Sequence, residues 1–199
     1  MKLEAKNLLF RYQKSVMTTL DGFSLTLESG RRLGLKAPSG RGKTTLCKIL
    51  AGYLDADRGQ VLLDERPLNS YRGPCPVQLI WQHPEQAADP LLPLGDTLAE
   101  AGPLDRRILD GLGIREEWYS RYPAELSGGE LQRFCVARAL GEHTRFLLCD
   151  EMTAMLDAVN QAELWRFVLD ECARRGIGIL AASHSDALLA RIAEEIIVL

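Results

Sequence analysis

A glycine-rich segment, residues 37–44 (APSGRGKT), has the residue types and spacing of a loop that holds phosphate. In such loops the backbone N–H groups, aimed by the helix that follows, surround the phosphates of a nucleotide. Lys43 is placed to reach the β- and γ-phosphates, and Thr44 to offer its hydroxyl to Mg²⁺. The full pattern has glycine where this chain has Ala37, and the alternative is a surface turn with a solvated lysine. The nucleotide-binding residues predicted here are Ser39, Gly40, Gly42, Lys43, Thr44 and Thr45.

A second segment, residues 146–151 (FLLCDE), is an apolar run that ends in two carboxylates. A buried strand would deliver them at its carboxyl end, where the ligands of parallel sheets collect. We expect Asp150 to hold Mg²⁺ through water, because Mg²⁺ dehydrates reluctantly. Glu151 is the natural general base for an attacking water. The alternative is an acidic strand end facing solvent, which the presence of Lys43 disfavours.

The third segment, residues 126–130 (LSGGE), combines a helix start with two glycines. Ser127 and Glu130 have the spacing of a capping box, which needs no ligand. Capping does not explain consecutive glycines in a first helical turn, where they are costly. Exposed N–H groups that bind phosphate would explain them. The sequence therefore predicts that Ser127, Gly128 and Gly129 contact a nucleotide.

Strand-like and helical segments alternate along the chain, which indicates an α/β fold with parallel strands. Residues 84–123 differ, because prolines recur there and Leu104, Ile108 and Leu112 have helical spacing. We expect one domain of residues 1–199, with a catalytic core of 1–83 and 124–199 and an inserted helical lobe of 84–123. The predicted strands are 2–10, 22–28, 33–37, 61–63, 77–81, 146–149, 177–182 and 196–199, and the predicted helices 44–51, 131–140 and 158–173, with a short one before the last strand.

The composition is that of an ordinary soluble globular protein, with 46% apolar and 26% charged residues. The net charge of −3 gives no reason to expect nucleic-acid binding. Five scattered cysteines without a C-x-x-C pair favour a reducing compartment. No apolar stretch reaches the ~18 residues of a membrane span, and the amino terminus lacks the apolar core of a signal peptide. We therefore expect a cytoplasmic protein that meets a membrane only through a partner.

Taken in this order, the three segments resemble the ATP-binding cassette of ABC transporters over essentially the whole chain. The resemblance implies a P-loop NTPase core with a mainly parallel sheet, an N-terminal antiparallel β part and the inserted helical lobe. It implies ATP and Mg²⁺ as cofactors. It also implies that Ser127 and Gly129 complete the site of a second, facing cassette, and that both cassettes sit on permease subunits at the inner face of the cell membrane.

The resemblance also gives roles to single residues. Tyr12 matches the aromatic residue that stacks on adenine, and His184 the histidine that contacts the γ-phosphate. Gln82 matches the glutamine that senses Mg²⁺ and the transmembrane partner, and Asp157 the aspartate of a loop that crosses the dimer interface. Without the resemblance each has an ordinary structural interpretation, such as a helix cap for Asp157.

Smaller features are similar to the oligopeptide, dipeptide and nickel importer ATPases. These are residues 82–84 (QHP), 89–90 (DP) and 122–126 (YPAEL). The chain departs from the family at Met152, Ala154 and Met155, which replace the usual proline, serine and alanine. Relatives also continue beyond the position of Leu199, so we expect any function of that tail to be missing here.

Two other classes stay open. One is an ABC ATPase that acts on DNA or ribosomes, although such proteins usually have two cassettes or long coiled-coil insertions. The other is a nucleotide-binding module that does not hydrolyse, for which Ala37 and the altered residues 152–155 are the motivation.

Overall fold

Nine strands and six α-helices lie within residues 1–13 and 17–199, the part of the chain that the computed structural model describes. The strands are β1 Lys2–Phe10, β2 Leu20–Glu28, β3 Arg32–Lys36, β4 Arg58–Leu63, β5 Arg66–Pro67, β6 Val77–Ile80, β7 Phe146–Asp150, β8 Gly178–Ser183 and β9 Glu195–Val198. The α-helices are α1 Lys43–Leu50, α2 Leu94–Ala99, α3 Arg106–Gly111, α4 Gly128–Ala139, α5 Ala158–Arg175 and α6 Asp186–Ile192. Short 3₁₀ turns lie at Leu68–Ser70, Pro84–Gln86, Glu116–Trp118 and Pro123–Glu125.

The strands form two sheets. The first is antiparallel, in the order β2-β1-β4-β5, and the second is parallel, in the order β6-β7-β8-β3-β9. The predicted α/β class, with a parallel core sheet and an N-terminal antiparallel part, is confirmed. Because β8 lies between β7 and β3, the segments that follow these three strands leave the sheet at neighbouring positions along its carboxyl edge.

The central strands are buried on both faces, as parallel strands covered by helices are. Every residue of β7 and β8 is buried. Successive residues of β7 enter opposite layers, so Leu147 packs with α4 and α5 while Leu148 packs with α1 and the antiparallel sheet. Packing on both faces of the sheet fixes the position and direction of the end of β7, and with it the position of Asp150.

The helices that start near the sheet edge have defined caps. Ser127 caps α4, and its side chain accepts from the Glu130 N–H. Asp157 caps α5, which ends at Gly176 in a left-handed conformation (φ 67°) that suits glycine. These caps satisfy end groups that would otherwise lack partners.

Residues 84–123 contain α2, α3 and two of the 3₁₀ turns, and no strand among the residues described. Their apolar side chains join the cluster of α4, where Trp118 lies against Phe134 with ring centroids 6.2 Å apart. The helical character predicted for this segment is therefore observed. Its separation from a catalytic core stays a prediction.

The observed element boundaries differ from the predicted ones by three residues at most. The largest differences are β4, which begins at 58 and not 61, and α4, which begins at 128 and not 131. The strand β5 was not predicted, because a two-residue pairing with a proline has no periodicity. It follows a turn at Asp64 and Glu65, both with positive φ.

All five cysteines are free thiols. Among the helices described, none is both long and apolar enough to cross a membrane.

Candidate functional site

A cavity of about 740 Å³ opens where the segment after β3 meets the ends of β1, β6 and β7. It is bounded on one side by the loop that precedes α1 and on another by the antiparallel sheet. The structure thus brings together most of the residues predicted to bind nucleotide. The predicted site residues that line the cavity are Tyr12, Ser39, Gly40, Gly42, Lys43, Thr44, Thr45, Gln82 and Glu151.

Lys43 is a buried lysine whose ammonium group lies inside the loop that precedes it. Its Nζ donates to the carbonyl oxygens of Ala37, at 2.8 Å, and Pro38, at 3.3 Å. It also lies 3.3 Å from Glu151 Oε1. A buried cation needs such partners, and the loop supplies them at the position from which Lys43 would reach a phosphate.

Glu151 Oε1 receives a second contact, from His184 Nδ1 at 3.1 Å. Burial raises the pKa of Glu151, but the hydrogen bonds from His184 and Lys43 outweigh it, so the pKa lies below its ordinary value. The backbone of Glu151 has a positive φ of 46°, and its N–H donates to the Ala182 carbonyl at 3.0 Å. Such strained conformations occur at functional sites. The result is an ionised carboxylate with a fixed direction.

Thr44 and Asp150 form the second contact across the site. Thr44 Oγ1 donates to Asp150 Oδ2 at 2.6 Å. Burial raises the pKa of Asp150, against the lowering effect of the Thr44 hydrogen bond. The other carboxylate oxygen, Oδ1, is buried and has no partner among the residues described.

An orphaned buried oxygen beside a hydroxyl fits Mg²⁺, which takes few protein oxygens and otherwise binds phosphates and water. Within the described chain, no group of three or more His, Cys, Asp or Glu side chains could hold a metal by itself. Asp150 and Thr44 would therefore hold Mg²⁺ together with the phosphates.

Ala37 replaces a glycine without backbone strain. It is not among the residues with positive φ, and its small side chain is buried. Gly42 is the position that requires glycine, because its φ is 100° and an added Cβ would lie 2.9 Å from Thr19 Cγ2. The loop geometry therefore tolerates the departure at Ala37.

Tyr12 stands at the rim of the cavity and is anchored at both ends of its ring. Its hydroxyl lies 3.0 Å from Thr45 Oγ1, within hydrogen-bonding distance, and its ring meets that of Phe10 edge-on at 4.9 Å. The side chain is nonetheless 46% exposed, so one ring face is available. Stacking on adenine stays a prediction.

The third segment does not reach this cavity. Of the described residues that line it, none comes from 127–129, and Asp157 is also elsewhere. Ser127 is exposed and forms the predicted capping box, with its N–H donating to Glu130 Oε2 at 2.8 Å. A Cβ added to Gly128 would meet nothing within 4 Å. Packing within this chain therefore gives no reason for glycine at 128.

A comparison with protein families tests the resemblance to ABC transporter cassettes. The family model described as ABC transporter matches residues 20–154, more than half of the chain. The chain belongs to the ABC transporter family. We predicted from the sequence that the chain belongs to this family and is an ATPase domain, and both predictions are confirmed.

Relatives of this ABC protein include importer subunits. A putative peptide import ATP-binding protein of Brucella abortus (strain 2308) is 30% identical, over 92% of this chain and 61% of its own length. The nickel import ATP-binding protein NikE of Rhodospirillum rubrum is 32% identical, over 92% of this chain and 72% of its own length. The chain thus spans about three fifths of the length of the first of these relatives.

Solved ABC cassettes have the same fold. A dimeric post-hydrolysis state of the cassette MJ0796, bound to ADP and Pi, superposes with a TM-score of 0.85. It is 22% identical, and the match covers 99% of this chain and 94% of that one. At this identity the likeness shows the fold alone.

The altered residues of this ABC cassette, 152–155, form a packed turn. Met152 is buried in the apolar cluster of α4 and α5. Thr153 is also buried, and its Oγ1 accepts from Gln161 at 2.7 Å and Trp165 at 3.2 Å. Met155 is 55% exposed. The substitutions thus leave an ordered turn between Glu151 and α5.

Sequence reasoning missed part of the cavity wall. Thr19 and Asp21 line it because the antiparallel pairing of β1 and β2 sets Phe10 opposite Leu20. Alternation of apolar residues on both strands could have indicated that pairing. Lys43, Thr44 and Glu151 were found because they lie within local motifs.

Proposed function

We propose that this chain is the ATP-binding and ATP-hydrolysing subunit of an ABC importer for peptides or nickel. The functions of its relatives, peptide import and nickel import, support this class of substrate. Residues 82–84 and 122–126 are the segments in which the similarity to that importer group is most specific. We place the chain in the cytoplasm, at the inner face of the cell membrane.

One observation carries the proposal: Lys43 and His184 meet at a single oxygen of Glu151, beside Thr44 and Asp150. Phosphoryl transfer needs positioned positive charge on the phosphates and a group that orients water. Lys43 provides the first through its ammonium group. Glu151, ionised and with its backbone fixed, accepts a proton from the attacking water or holds that water in line.

The other residues of the site bind and orient. His184 holds Glu151 Oε1 and is placed to donate to a γ-phosphate oxygen. Asp150 and Thr44 would hold Mg²⁺, which would neutralise charge on the phosphate oxygens. Gln82, on the cavity wall, is proposed as a further ligand of the ion or of the water, and Tyr12 as the stacking partner of adenine.

The exposed start of α4 is proposed to serve a second cassette, either identical or related. The first turn of a helix has N–H groups without intrahelical partners and attracts phosphate. In this chain none of the residues of that turn lines the cavity, so Ser127, Gly128 and Gly129 would act on the nucleotide of a facing subunit. Asp157 would lie at the same interface.

A permease is the proposed partner of the surface around Gln82. A large apolar side chain is exposed beside it, since Tyr53 is 58% exposed. Tyr53 contacts Trp81, the neighbour of Gln82, with ring centroids 5.4 Å apart. A short helix of the permease packed here would sense the state of the cavity through residues 81–82.

The experiment that tests this function is hydrolysis by a Glu151→Gln variant. We expect ATP turnover to fall at least ~100-fold, a typical loss for a general base, with ATP binding retained. Phosphate release and binding of a fluorescent ATP analogue measure the two properties. The control is Glu117→Gln, which neutralises an exposed carboxylate of the 3₁₀ turn at Glu116–Trp118 and should not change turnover. Undiminished hydrolysis in Glu151→Gln would contradict the proposed role.

A further inference from the structure

Arg133 joins three segments that lie far apart in the sequence. It lies on α4, and its guanidinium uses both terminal nitrogens. Nη1 donates to the Leu112 carbonyl at 3.1 Å, just past the end of α3, and Nη2 donates to Asn160 Oδ1 at 3.0 Å, in the first turn of α5. The side chain is only 19% exposed, so these hydrogen bonds compete little with water.

Asn160 links Arg133 to Asp157, because it forms hydrogen bonds with both. Its amide oxygen accepts from Arg133, and its Nδ2 donates to Asp157 Oδ2 at 2.5 Å. The Asn160 N–H donates to the other carboxylate oxygen, Oδ1, at 3.0 Å. The Asn160 amide is thus held in one orientation by both neighbours. These bonds also lower the pKa of Asp157, the backbone bond from Asn160 most of all.

The turn before Asp157 also packs directly on the start of α4. A Cβ added to Gly129 would lie 3.0 Å from Leu156 Cδ2, so the two segments are in close contact. The contact and the hydrogen-bonded chain from Arg133 through Asn160 act on the same pair of segments. The Ser127–Gly129 turn and Asp157 are therefore held as one unit.

We infer that Arg133 and Asn160 are positioning residues that hold Asp157 and the Ser127–Gly129 turn in register, as one surface for a second cassette. This inference rests on the proposed function. Neither residue lines the cavity within the described part of the chain. They act on the approach of the second subunit and leave the first binding of ATP unaffected.

The test compares variants in a Glu151→Gln parent, which accumulates ATP-bound protein. Asn160→Asp keeps the size of the side chain and its contact with Arg133, but it replaces the donor to Asp157 with a repelling carboxylate. Asn160→Leu removes both contacts. Glu163→Gln is the matched control, because Glu163 lies 4.0 Å from Arg133 on α5 and does not contact Asp157. Sedimentation with MgATP measures dimerisation, and a fluorescent ATP analogue measures the affinity of the monomer.

We expect both Asn160 variants to weaken ATP-dependent dimerisation by about tenfold or more, as loss of a hydrogen bond to a charged group does. The affinity of the monomer for ATP should change by less than about twofold. A general loss of structure would lower this affinity as well. Glu163→Gln should behave as the parent does. If Asn160→Leu does not fold, the dimerisation of Asn160→Asp alone tests the inference.

Unchanged dimerisation in Asn160→Asp, or equal losses of ATP affinity and dimerisation, would overturn the inference while leaving the proposed function intact. A parent that binds ATP and stays monomeric contradicts the proposed dimer itself, and the role of Arg133 and Asn160 with it.

Discussion

Glu151 combines three properties that rarely occur together in a structural carboxylate. Its Oε1 is shared by Lys43 and His184, its pKa lies below the ordinary value, and its backbone has a positive φ of 46°. The two side-chain contacts and the backbone hydrogen bond to Ala182 hold the carboxylate in place, and the lowered pKa keeps it ionised. Such a preorganised carboxylate suits the general base proposed above, because little entropy is lost at the moment of reaction.

The two loop positions 37 and 42 should differ in their sensitivity to substitution. Gly42→Ala introduces a Cβ at a φ of 100° and 2.9 Å from Thr19 Cγ2, so the loop must shift. We expect ATP affinity to fall by about tenfold or more, since a strained position costs ~1–3 kcal/mol. Ala37→Gly relieves no strain and should change affinity by less than about twofold. Equilibrium binding of an ATP analogue measures both.

Equal effects of the two substitutions would contradict this explanation of Ala37. A gain of tenfold on Ala37→Gly would instead mean that the alanine itself limits nucleotide binding.

Local motifs predicted the residues of the site that are close in sequence. Lys43, Thr44 and Glu151 were identified from loop and strand-end chemistry, and they lie on one cavity. The contact of the Tyr12 hydroxyl with Thr45 and the presence of Asp21 on the wall were not predicted. Asp21 reaches the wall through the pairing of β1 with β2, which the alternation on both strands could have indicated. The contact between Tyr12 and Thr45 joins residues 33 apart in sequence, and local motifs do not report it.

At the scale of elements, hydrophobic periodicity and capping residues were sufficient to find nearly every strand and helix. Apolar runs such as 146–149 became the buried parallel strands, because helices cover both of their faces. The start of α4 was placed too late, since two glycines disfavour a helix. The capping box of Ser127 and Glu130 overrides that preference.

The start of α4 allows its structural and its proposed ligand-binding roles to be separated. Ser127→Ala removes the cap and should lower the free energy of unfolding by ~1 kcal/mol. Ser127→Asn keeps a good cap, so its stability should stay within ~0.5 kcal/mol of the parent. Both should weaken ATP-dependent dimerisation if, as we propose, Ser127 contacts the nucleotide of the facing subunit through its hydroxyl as well as its N–H group, because neither variant presents that hydroxyl. Thermal unfolding and sedimentation measure the two effects.

If Asn at 127 restored dimerisation along with stability, Ser127 would be a helix cap and nothing more. Glu130→Gln serves as the control, since glutamine also completes a capping box.

At the scale of the whole molecule, the site follows from strand order. The loop with Lys43 follows β3, Asp150 and Glu151 lie at the end of β7, and His184 follows β8. These three strands are neighbours in the parallel sheet. Alternation of strands and helices predicted a parallel sheet, but the order in which strands pair could not be predicted from it. The start of α4 and the Asp157 turn, held together by Arg133 and Asn160, form a separate surface. Under the proposed function, these two surfaces of one chain are the two halves of a site that only a second cassette completes.

The measurement that most directly tests the site shared between two chains is ATP-dependent cross-linking of two different variants. One chain carries Ser39→Cys and the other Ser127→Cys, both with Glu151→Gln to prevent turnover and Cys75→Ser to remove the half-buried native thiol. We expect an oxidative cross-link of dimer mass in the mixture with MgATP, and none without nucleotide or with either chain alone. ATP bound by chains that stay monomeric and form no cross-link in the mixture would contradict the shared site.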